Sequence, residues 1–471
     1  MAQEFSELRS RRPGGLLPGS LLRPRPRLAD PADEARVRGA ALPPTGAQLA
    51  GAGLVVILLL AAVIGAPVVV HHLAFLLFLA AAVTRLIAAV TPVHNPGFEP
   101  LPDPALPAYT IIAPLYREAE IAAQLVEGLS ALDYPHDRLQ IILVLESDDQ
   151  ETREALTTLA LPSSFQVLAA PPGAPRTKPR ACNVALEQAT GDLVTIYDAE
   201  DRPDPGQLRE AAARFAVAPA RLACLQAPLR IDPDRRILPA QFALEYATQF
   251  EVLLPALAQL GAPFPLGGTS NHFRLSALRA VGGWDAWNVT EDADLGFRLA
   301  AEGYTMGVLS RPTWEPAPET LHDWIPQRAR WVKGYMQTFG VHSRTPPHWR
   351  TGVAAAFAAT LGSAIAAAFL HGPLTAWVLM ASVIGLAHDG VPWVSVPDAA
   401  LLVFGWLCAA VAGAVGLRRA GLPVRLRDLL VLPLYWPLHS LAAAHALFQL
   451  LVQPFHWDKT PHTPRTGQAG A

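Results

Sequence analysis

Hydrophobic positions are concentrated in two long blocks that flank a region of mixed polarity. The first block, residues 48–92, contains two apolar stretches, each close to the roughly 20 residues that a helix needs to cross a bilayer. Its only charged or titratable residues are His71, His72 and Arg85. The block therefore predicts two transmembrane helices joined by a tight turn.

The second block, residues 351–453, is divided by polar, glycine- and proline-containing segments. Its apolar stretches lie near 352–370, 373–387, 398–417 and 429–452. They lack the polar face that a helix on the surface of a water-soluble protein shows. We expect about four transmembrane or interfacial helices here, followed by a C-terminal tail at 454–471.

Between the blocks, residues 105–345 alternate short apolar runs with amphipathic segments. The runs at 109–114, 139–145 and 193–197 are rich in β-branched and aliphatic residues, which is typical of strands buried on both faces of a mostly parallel sheet. The domain ends in an amphipathic segment at 324–335 that is rich in Trp and Tyr, as interfacial helices are. The pattern predicts an α/β domain inserted between transmembrane helices.

Composition agrees with a membrane protein. Of 471 residues, 51% are hydrophobic and 16% are charged, which is too apolar for an ordinary water-soluble protein. The net charge of −3 argues neither for nor against nucleic acid, but the sequence has no basic stripe interleaved with aromatics, so we expect no nucleic-acid partner. The 3 cysteines have no metal-ligand spacing and predict no disulfide framework.

Arginines indicate the orientation. Residues 1–47 are rich in Arg and Pro, lack helical periodicity and are predicted to be disordered. Their arginines place the N-terminus in the cytoplasm by the positive-inside rule, and two crossings return the chain there before the α/β domain. The arginines between 418 and 427 also look cytoplasmic, which four C-terminal crossings would not allow. One late segment is therefore expected to lie in the interface.

Acidic residues follow two of the predicted strands. Glu146 and Asp148 follow the second strand, and Asp198, Glu200 and Asp201 follow the third. Ligands bind beyond the carboxyl ends of strands in open α/β sheets. Asp198 and Glu200 are candidate ligands of a hard cation, and the earlier acids suit a base or a ribose hydroxyl. A solvated acidic turn and an acidic helix N-terminus are the alternatives.

Two further segments suit close contact with a ligand. Arg176, Lys178 and Arg180 open a predicted helix, where side-chain cations and free N–H groups can together clamp a diphosphate. The glycine turn at 267–271 permits close approach of a ligand, although a turn without a ligand is the commoner use.

The segment Thr290-Glu291-Asp292 allows two interpretations. Asn288 and Glu291 can form a capping box, so that these acids would serve the helix dipole. Asp292, however, falls on the apolar face of the predicted helix, which makes it a candidate general base. Farther on, Gln327, Arg330 and Trp331 lie in the predicted interfacial helix, which can present them to the soluble site.

In this order, the motifs resemble those of the membrane-integrated family 2 glycosyltransferases, which include cellulose, hyaluronan and chitin synthases. The resemblance covers roughly residues 105–340. Residues 290–292 match the T-E-D motif and residues 327–331 match Q-x-x-R-W. At the D-x-D position Glu200 replaces the second aspartate, and Glu146 or Asp148 stands where the family has Asp-Asp.

The resemblance implies a GT-A domain that binds a nucleotide-diphosphate sugar together with Mg²⁺ or Mn²⁺. It assigns Asp198 and Glu200 to the metal and Asp292 to the base that deprotonates the acceptor. It places the donor among Glu146, Asp148, Arg180 and Asp198. It places the acceptor and the diphosphate among Glu291, Gln327, Arg330 and Trp331.

The resemblance also implies an inverting, processive β-glycan synthase of the bacterial inner membrane, with its catalytic domain in the cytoplasm. UDP-glucose is the preferred donor, a glycan is the acceptor, and accessory export subunits are conceivable partners. The aromatic residues of the second apolar block could stack sugar rings or anchor the helices at the bilayer surface. Residues 454–462 resemble the gating-loop motif of cellulose synthases. A transferase that adds one sugar to a lipid phosphate, and an inactive nucleotide-sugar-binding subunit, remain alternatives.

Overall fold

The computed structural model describes residues 39–93, 97–344, 351–391 and 393–456. Most of the predicted N-terminal tail lies outside these residues, and so does the chain from residue 457 onward, including most of the segment that resembles a gating loop.

The strands of the described residues form two sheets. Seven strands form one sheet in the order β3-β2-β1-β4-β8-β6-β9, and three form a smaller sheet in the order β5-β10-β7. The bounds are β1 Tyr109–Leu115, β2 Leu139–Glu146, β3 Phe165–Ala170, β4 Leu193–Ile196, β5 Arg202–Pro203, β6 Leu222–Gln226, β7 Leu229–Ile231, β8 Asn271–Arg274, β9 Thr305–Val308 and β10 Thr313–Glu315.

The three strands predicted from the sequence lie side by side. β1 pairs in parallel with both β2 and β4, so Ile112 lies between Ile142 and Ile196. β8 runs antiparallel between β4 and β6, which makes the sheet mixed. Because parallel strands end at the same edge, the acidic residues that follow β2 and β4 come together there.

Helices cover both faces of the large sheet and continue into the apolar blocks. The bounds are α1 Gly46–Gly65, α2 Pro67–Val90, α3 Ala122–Ser130, α4 Gln150–Thr157, α5 Lys178–Gln188, α6 Gln207–Val217, α7 Ile237–Thr248, α8 Leu254–Gln259, α9 Leu275–Ala280, α10 Glu291–Ala301, α11 Leu321–Arg344, α12 Thr351–Phe357, α13 Ser363–Asp389, α14 Val396–Arg419 and α15 Leu426–Val452. Two π-helical turns, Gln249–Leu253 and Ala358–Gly362, join α7 to α8 and α12 to α13.

Neighbouring residues of one strand enter opposite hydrophobic cores. Ile111 and Ile141 pack into the core on one face of the sheet, whereas Ile112 and Ile142 pack into the core on the other face. All four side chains are buried. This alternation explains why the strand sequences are apolar throughout.

Five helical segments of the described residues are long and apolar enough to cross a membrane, with hydropathies between 1.2 and 2.5. They are α1, α2, the segment Gly352–Asp389, α14 and α15. None of the side chains of α1 is buried, and large apolar side chains such as Leu58 and Leu77 are exposed. An apolar surface of this size is a membrane-contacting surface. The soluble domain is thus inserted between α2 and α12.

The predicted helix break at 371–373 is wrong. α13 continues through Pro373, so the stretches near 352–370 and 373–387 form one segment, and three membrane helices instead of about four follow the domain in the described chain. Ser440 of α15 supports the helix backbone directly before this proline. Its hydroxyl accepts the N–H of Gly372 (2.8 Å) and donates to the carbonyl of Ala368 (2.6 Å), bridging two groups that would otherwise bond directly.

This helix count removes the need for an interfacial segment among the late helices. With three crossings, the loop between α14 and α15 returns to the side of the membrane that holds the soluble domain. Arg419 and Arg425 hold this loop against that domain, because they donate to the carbonyls of Glu251 (2.9 Å) and Asp234 (2.5 Å). The arginines of this loop therefore follow the same bias as those before α1.

The amphipathic segment at 324–335 belongs to the longer helix α11. This helix does not lie alone on the bilayer surface but packs between the soluble domain and α15. Trp324 is fully buried, and its indole N–H donates to the hydroxyl of Tyr435 (2.9 Å). α11 thereby holds the Q-x-x-R-W residues between the sheet and the membrane helices.

Candidate active site

The loop after β4 presents its acids at the carboxyl edge of the sheet. Asp201 is almost fully buried, and its carboxylate accepts the N–H of Asp198 (2.7 Å) and the hydroxyl of Thr269. Burial and neighbouring carboxylates raise the pKa of Asp201 well above its usual range. Asp201 therefore shapes the loop, while Asp198 and Glu200 line the adjoining cavity.

Glu315 joins this acidic cluster, and the sequence did not predict it. It ends β10, which pairs with β5 directly after the loop, and that pairing brings Glu315 to the cluster. Burial and the negative charges of Glu200 and Asp198 raise the pKa of Glu315 to about 8. The local sequence around Glu315 contains no motif, so only the sheet pairing could have revealed it.

The cluster fits a divalent cation by its chemistry. No group of three or more His, Cys, Asp or Glu side chains in the described chain is arranged closely enough to hold a metal ion. Asp198 and Glu200 nevertheless supply hard oxygen donors, and burial together with their negative charges raises the pKa of the neighbouring Glu315. Mg²⁺ and Mn²⁺ suit such a donor set.

Lys178 is the principal counter-charge of this cluster. Its ammonium lies 2.5 Å from one carboxylate oxygen of Asp198 and donates to the carbonyl of Gly268 (2.6 Å). Burial alone would lower the pKa of Lys178, but the charges of Asp198 and Glu291 more than offset this and raise it. The first turn of α5 thus places the ammonium group of Lys178 beside the predicted metal site.

The other acids and cations predicted for the donor pair with each other. Glu146 ends β2, is buried and lies 3.3 Å from Arg180, and burial raises its pKa. Asp148 and Arg176 form an exposed ion pair at the rim of the site. Glu146 and Arg176 line the cavity, whereas Asp148 and Arg180 are not among its lining residues.

The Thr290-Glu291-Asp292 segment lies opposite the acidic cluster. α10 begins at Glu291, and the side chain of Asn288 accepts the N–H of Thr290 (3.0 Å), so the predicted capping box with Glu291 does not form. A Cβ atom on Gly268 would lie 3.5 Å from a carboxylate oxygen of Asp292 and 3.9 Å from the ammonium of Lys178. The general-base candidate and the metal-site lysine therefore meet at one glycine.

The carboxyl groups of Glu291 and Asp292 both have raised pKa values. Burial, followed by the charge of Asp292, raises the pKa of Glu291 to about 8. Burial also raises the pKa of Asp292, which brings this carboxylate closer to neutral pH than an exposed aspartate. A base with a raised pKa accepts a proton more readily.

α11 fixes the position of the Thr290 segment. A Cβ atom on Gly334 would lie 2.3 Å from the hydroxyl oxygen of Thr290, so only glycine permits this approach. Thr338 accepts a hydrogen bond from the side chain of Asn288 (2.8 Å), and Gln337 accepts the N–H of Val289 (3.1 Å). The T-E-D and Q-x-x-R-W motifs therefore form one packed unit.

An aromatic and ionic network holds Trp331. The guanidinium of Arg328 lies 4.4 Å from the ring centre of Trp331 and 4.6 Å from that of Phe242. Arg328 also pairs with Glu245, which contacts His439 of α15 at 3.0 Å. Burial would raise the pKa of Glu245, but Arg328 and His439 more than offset it and lower the pKa to about 2.

Gln327 is placed to contact a ligand. Its carbonyl oxygen is buried and has no hydrogen-bond partner among the described residues. Because such groups are rarely left unsatisfied, this oxygen is available to a bound hydroxyl. Gln327, Arg330 and Trp331 line the same cavity as the acids.

One cavity of about 1630 Å³ joins these groups to the membrane helices. It begins at the acidic cluster, passes the T-E-D and Q-x-x-R-W residues, and continues between α2, α13, α14 and α15. Of the aromatic residues in the second apolar block, Trp377 and Trp436 line the cavity, whereas Trp406 and Tyr435 are engaged in hydrogen bonds to Leu429 and Glu245.

Comparison with known proteins agrees with this geometry. The family "Glycosyl transferase family 2" matches residues 110–275, and "Glycosyl transferase family group 2" matches residues 193–417. Residues 110–417 therefore carry the sequence patterns of family 2 glycosyltransferases. The second match extends from the strand before the acidic cluster to the end of α14, so the family's sequence pattern includes α12 to α14 as well as part of the sheet.

Two curated relatives illustrate the range of this family. The cellulose synthase 1 catalytic subunit (UDP-forming) of Komagataeibacter xylinus is 30% identical over 281 residues, which cover 57% of this glycosyltransferase and 35% of the relative. The β-monoglucosyldiacylglycerol synthase of Synechocystis is 28% identical over 242 residues, covering 50% of this chain and 49% of the relative. The chain thus matches half or less of the length of each relative.

A solved structure supports the fold assignment. The mannosyltransferase PcManGT from Pyrobaculum calidifontis, in complex with GDP-Man and Mn²⁺, aligns over 84% of this chain and 97% of its own, with a TM-score of 0.52 and 20% sequence identity. This glycosyltransferase therefore has a GT-A domain, as the sequence predicted, joined to transmembrane helices.

Proposed function

We propose that this glycosyltransferase transfers a hexose from a nucleotide-diphosphate sugar to the growing end of a β-linked polysaccharide, with inversion and without releasing the product after each step. The observation that supports this proposal most directly is the single cavity that runs from the acidic cluster past Trp331 into the membrane helices. A polymer made at the sheet edge would have a path away from it.

The donor would bind at the carboxyl edge of β1, β2 and β4. Asp198 and Glu200 would hold Mg²⁺ or Mn²⁺, which when bound stabilises the charge of the departing diphosphate. Lys178 and the first turn of α5 would add positive charge beside it. Glu146, with Asp148 and Arg180 behind it, would face the nucleoside. The GDP-mannose and Mn²⁺ bound to PcManGT support a donor and metal of this class.

Asp292 would take the proton from the acceptor hydroxyl as that oxygen attacks the anomeric carbon. Attack from the side opposite the diphosphate inverts the configuration, and the bond to the diphosphate breaks as the new glycosidic bond forms. The raised pKa of Asp292 supports this role, because a stronger base removes the proton more readily.

The end of the glycan would lie against α11. Trp331 offers an aromatic face to a sugar ring, and the unpaired carbonyl of Gln327 accepts a sugar hydroxyl. Glu291 and Arg330 would complete the wall between acceptor and diphosphate. We place the protein in the bacterial inner membrane with its domain in the cytoplasm and UDP-glucose as the preferred donor; accessory export subunits are compatible with this arrangement.

Nucleotide release tests the proposal. Protein in nanodiscs is incubated with UDP-glucose, UDP-N-acetylglucosamine or GDP-mannose, with Mg²⁺, Mn²⁺ or EDTA, and the free nucleoside diphosphate and product size are measured. We expect metal-dependent release from one donor and a product of many sugars. Absence of release from every donor would overturn the transfer reaction, and a product carrying a single sugar would overturn processivity.

Transfer of one sugar to a lipid is the second candidate. The β-monoglucosyldiacylglycerol synthase among the relatives supports it, as does a cavity that reaches the membrane helices. Inverted membrane vesicles with a labelled donor separate the candidates further. Polymer inside the vesicles supports coupled export, whereas a labelled product that extracts with the lipids supports lipid glycosylation.

A further inference from the structure

A cation without a counter-charge lies inside the membrane part of the cavity. Arg85, on α2, lines the cavity and is half-buried. Among the described residues it has neither a hydrogen bond nor an ion pair. A charged side chain within a transmembrane helix is costly unless it is paired or serves a ligand. Its position therefore points to a bound anion.

Two carboxylates that line the cavity together with Arg85 are already paired. Asp398 of α14 contacts His71 at 3.1 Å, and Glu245 pairs with Arg328 and with His439. Neither of them is paired with Arg85. Within the described part of the chain, Arg85 therefore has no ion-pair partner.

Basic groups from three helices converge near Arg85. His371 of α13 lines the cavity and stacks on Trp436, with ring centres 5.3 Å apart. It lines the cavity together with Arg85 and with His439 of α15. An anion beside Arg85 would thus have imidazole donors on the opposite wall.

The membrane helices leave this part of the cavity open at one side. α2 packs against α14, α14 against α15, and α15 against α13. In the described chain, α2 and α13 do not pack extensively against each other and form the two edges of an open arc. Apolar side chains of these edges, such as Phe75 and Leu374, line the cavity. A molecule with acyl chains can therefore enter from the bilayer.

The depth of Arg85 matches a lipid headgroup. It lies five residues before the end of α2 at Val90, which corresponds to about 7.5 Å along the helix from the end next to the soluble domain. From there the long side chain of Arg85 can extend toward the headgroup region of that leaflet. A neutral glycan passing through would need no fixed charge here, and a free phosphate would need no apolar walls.

We propose that the cavity binds the phosphate of an anionic membrane lipid, held by Arg85 with His371 opposite, while its chains lie along the apolar edges of α2 and α13. This site is separate from the donor and acceptor residues and does not depend on the proposed reaction. The bound lipid would occupy the open side of the cavity between α2 and α13.

Lipid retention tests this site independently of turnover. Delipidated protein is reconstituted in phosphatidylcholine nanodiscs with or without phosphatidylglycerol, and the lipids kept after extraction into detergent are counted by native mass spectrometry. We compare wild type, Arg85→Gln, Arg85→Lys and Arg418→Gln. Arg418 is the matched control, because it is an exposed arginine at the end of α14 that does not line the cavity.

We expect wild type and Arg418→Gln to keep phosphatidylglycerol in preference to phosphatidylcholine, and Arg85→Gln to lose this preference by about tenfold or more, since the lost contact is a hydrogen bond to a charged group. Arg85→Lys should keep part of it. Equal retention by wild type and Arg85→Gln would overturn the site. The site would also be overturned if inorganic phosphate bound at Arg85 in place of phosphatidylglycerol, since the ligand would then be a free anion.

A second measurement does not depend on the folding of a variant. A phosphatidylglycerol with a photoreactive headgroup should crosslink to the α2 peptide that contains Arg85 in the wild-type protein. Crosslinks confined to α1 would contradict the proposal. Crosslinks from the lipid headgroup to a product glycan that carries acidic sugars would also contradict it. Nucleotide release measured on the same sample separates a failure of this proposal from a failure of the proposed reaction.

Discussion

Gly334→Ala tests whether α11 positions the catalytic segment. The new methyl carbon would lie 2.3 to 2.7 Å from three side-chain atoms of Thr290, far inside ordinary contact. Overpacking of this kind costs about 1–3 kcal/mol. Because Thr290 directly precedes Glu291 and Asp292, the displacement would also move the general base relative to Lys178.

Gly340→Ala is the matched control on the same helix. A Cβ atom at Gly340 would contact no atom within 4 Å, so this variant gains only the helix propensity of alanine, about 0.5–1 kcal/mol. Gly334→Ala gains the same propensity. The difference between the two variants therefore isolates the contact with Thr290, and we expect it to be about 1–3 kcal/mol.

Thermal unfolding and nucleotide release in detergent measure the two effects. For a domain of this size, the expected difference corresponds to a melting temperature lower by about 2–12 °C for Gly334→Ala than for Gly340→Ala. Turnover should fall in Gly334→Ala alone, with donor affinity nearly unchanged, because the donor residues lie on other elements. Equal melting temperatures and equal turnover of the two variants would refute the argument.

Three further substitutions test other parts of the site. Asp292→Asn should reduce turnover by about 10²–10⁴-fold while donor affinity, measured by titration calorimetry, stays within about twofold; an equal loss of binding would show that Asp292 belongs to the donor site. Glu200→Asp should remain active and Glu200→Gln should lose metal-dependent nucleotide release, whereas an unimpaired Gln variant would remove Glu200 from the metal ligands. Burial and Asp294 raise the pKa of Asp285 to about 6, so its contribution to stability is complete below the unfolded pKa and is lost as the pH rises to about 6. The melting temperature of wild type relative to Asp285→Asn should therefore fall between pH 4.5 and 6.5, and a constant difference would contradict the assignment.

The sequence predicted the fold where one pattern dominates. Strands buried on both faces are apolar without interruption, so β1, β2 and β4 were found within one or two residues of their ends. The membrane block was harder, because Gly372 and Pro373 ordinarily end a helix. Ser440, distant in sequence, satisfies the interrupted backbone bond, and no local pattern can indicate such a partner.

The candidate site likewise contains residues that the sequence predicted and one that it did not. Asp198, Glu200 and Asp292 were predicted because their motifs are short and contiguous, and they line one cavity with Glu146 and Trp331. Their chemical roles remain predictions. Glu315 could not be found, because its place beside Glu200 follows from the pairing of two very short strands.

The position of Trp331 shows why motif residues alone do not define the acceptor site. Arg328, an unspecified position of Q-x-x-R-W, stacks on Trp331 and is itself held by Glu245. Glu245 in turn accepts the hydroxyl of Tyr435 (2.7 Å) and contacts His439, both on α15. The aromatic face proposed for the glycan is therefore positioned from a membrane helix as well as from its own helix. A displacement of α15 must strain these contacts or move Trp331, so the membrane part of the cavity and the acceptor site are physically joined.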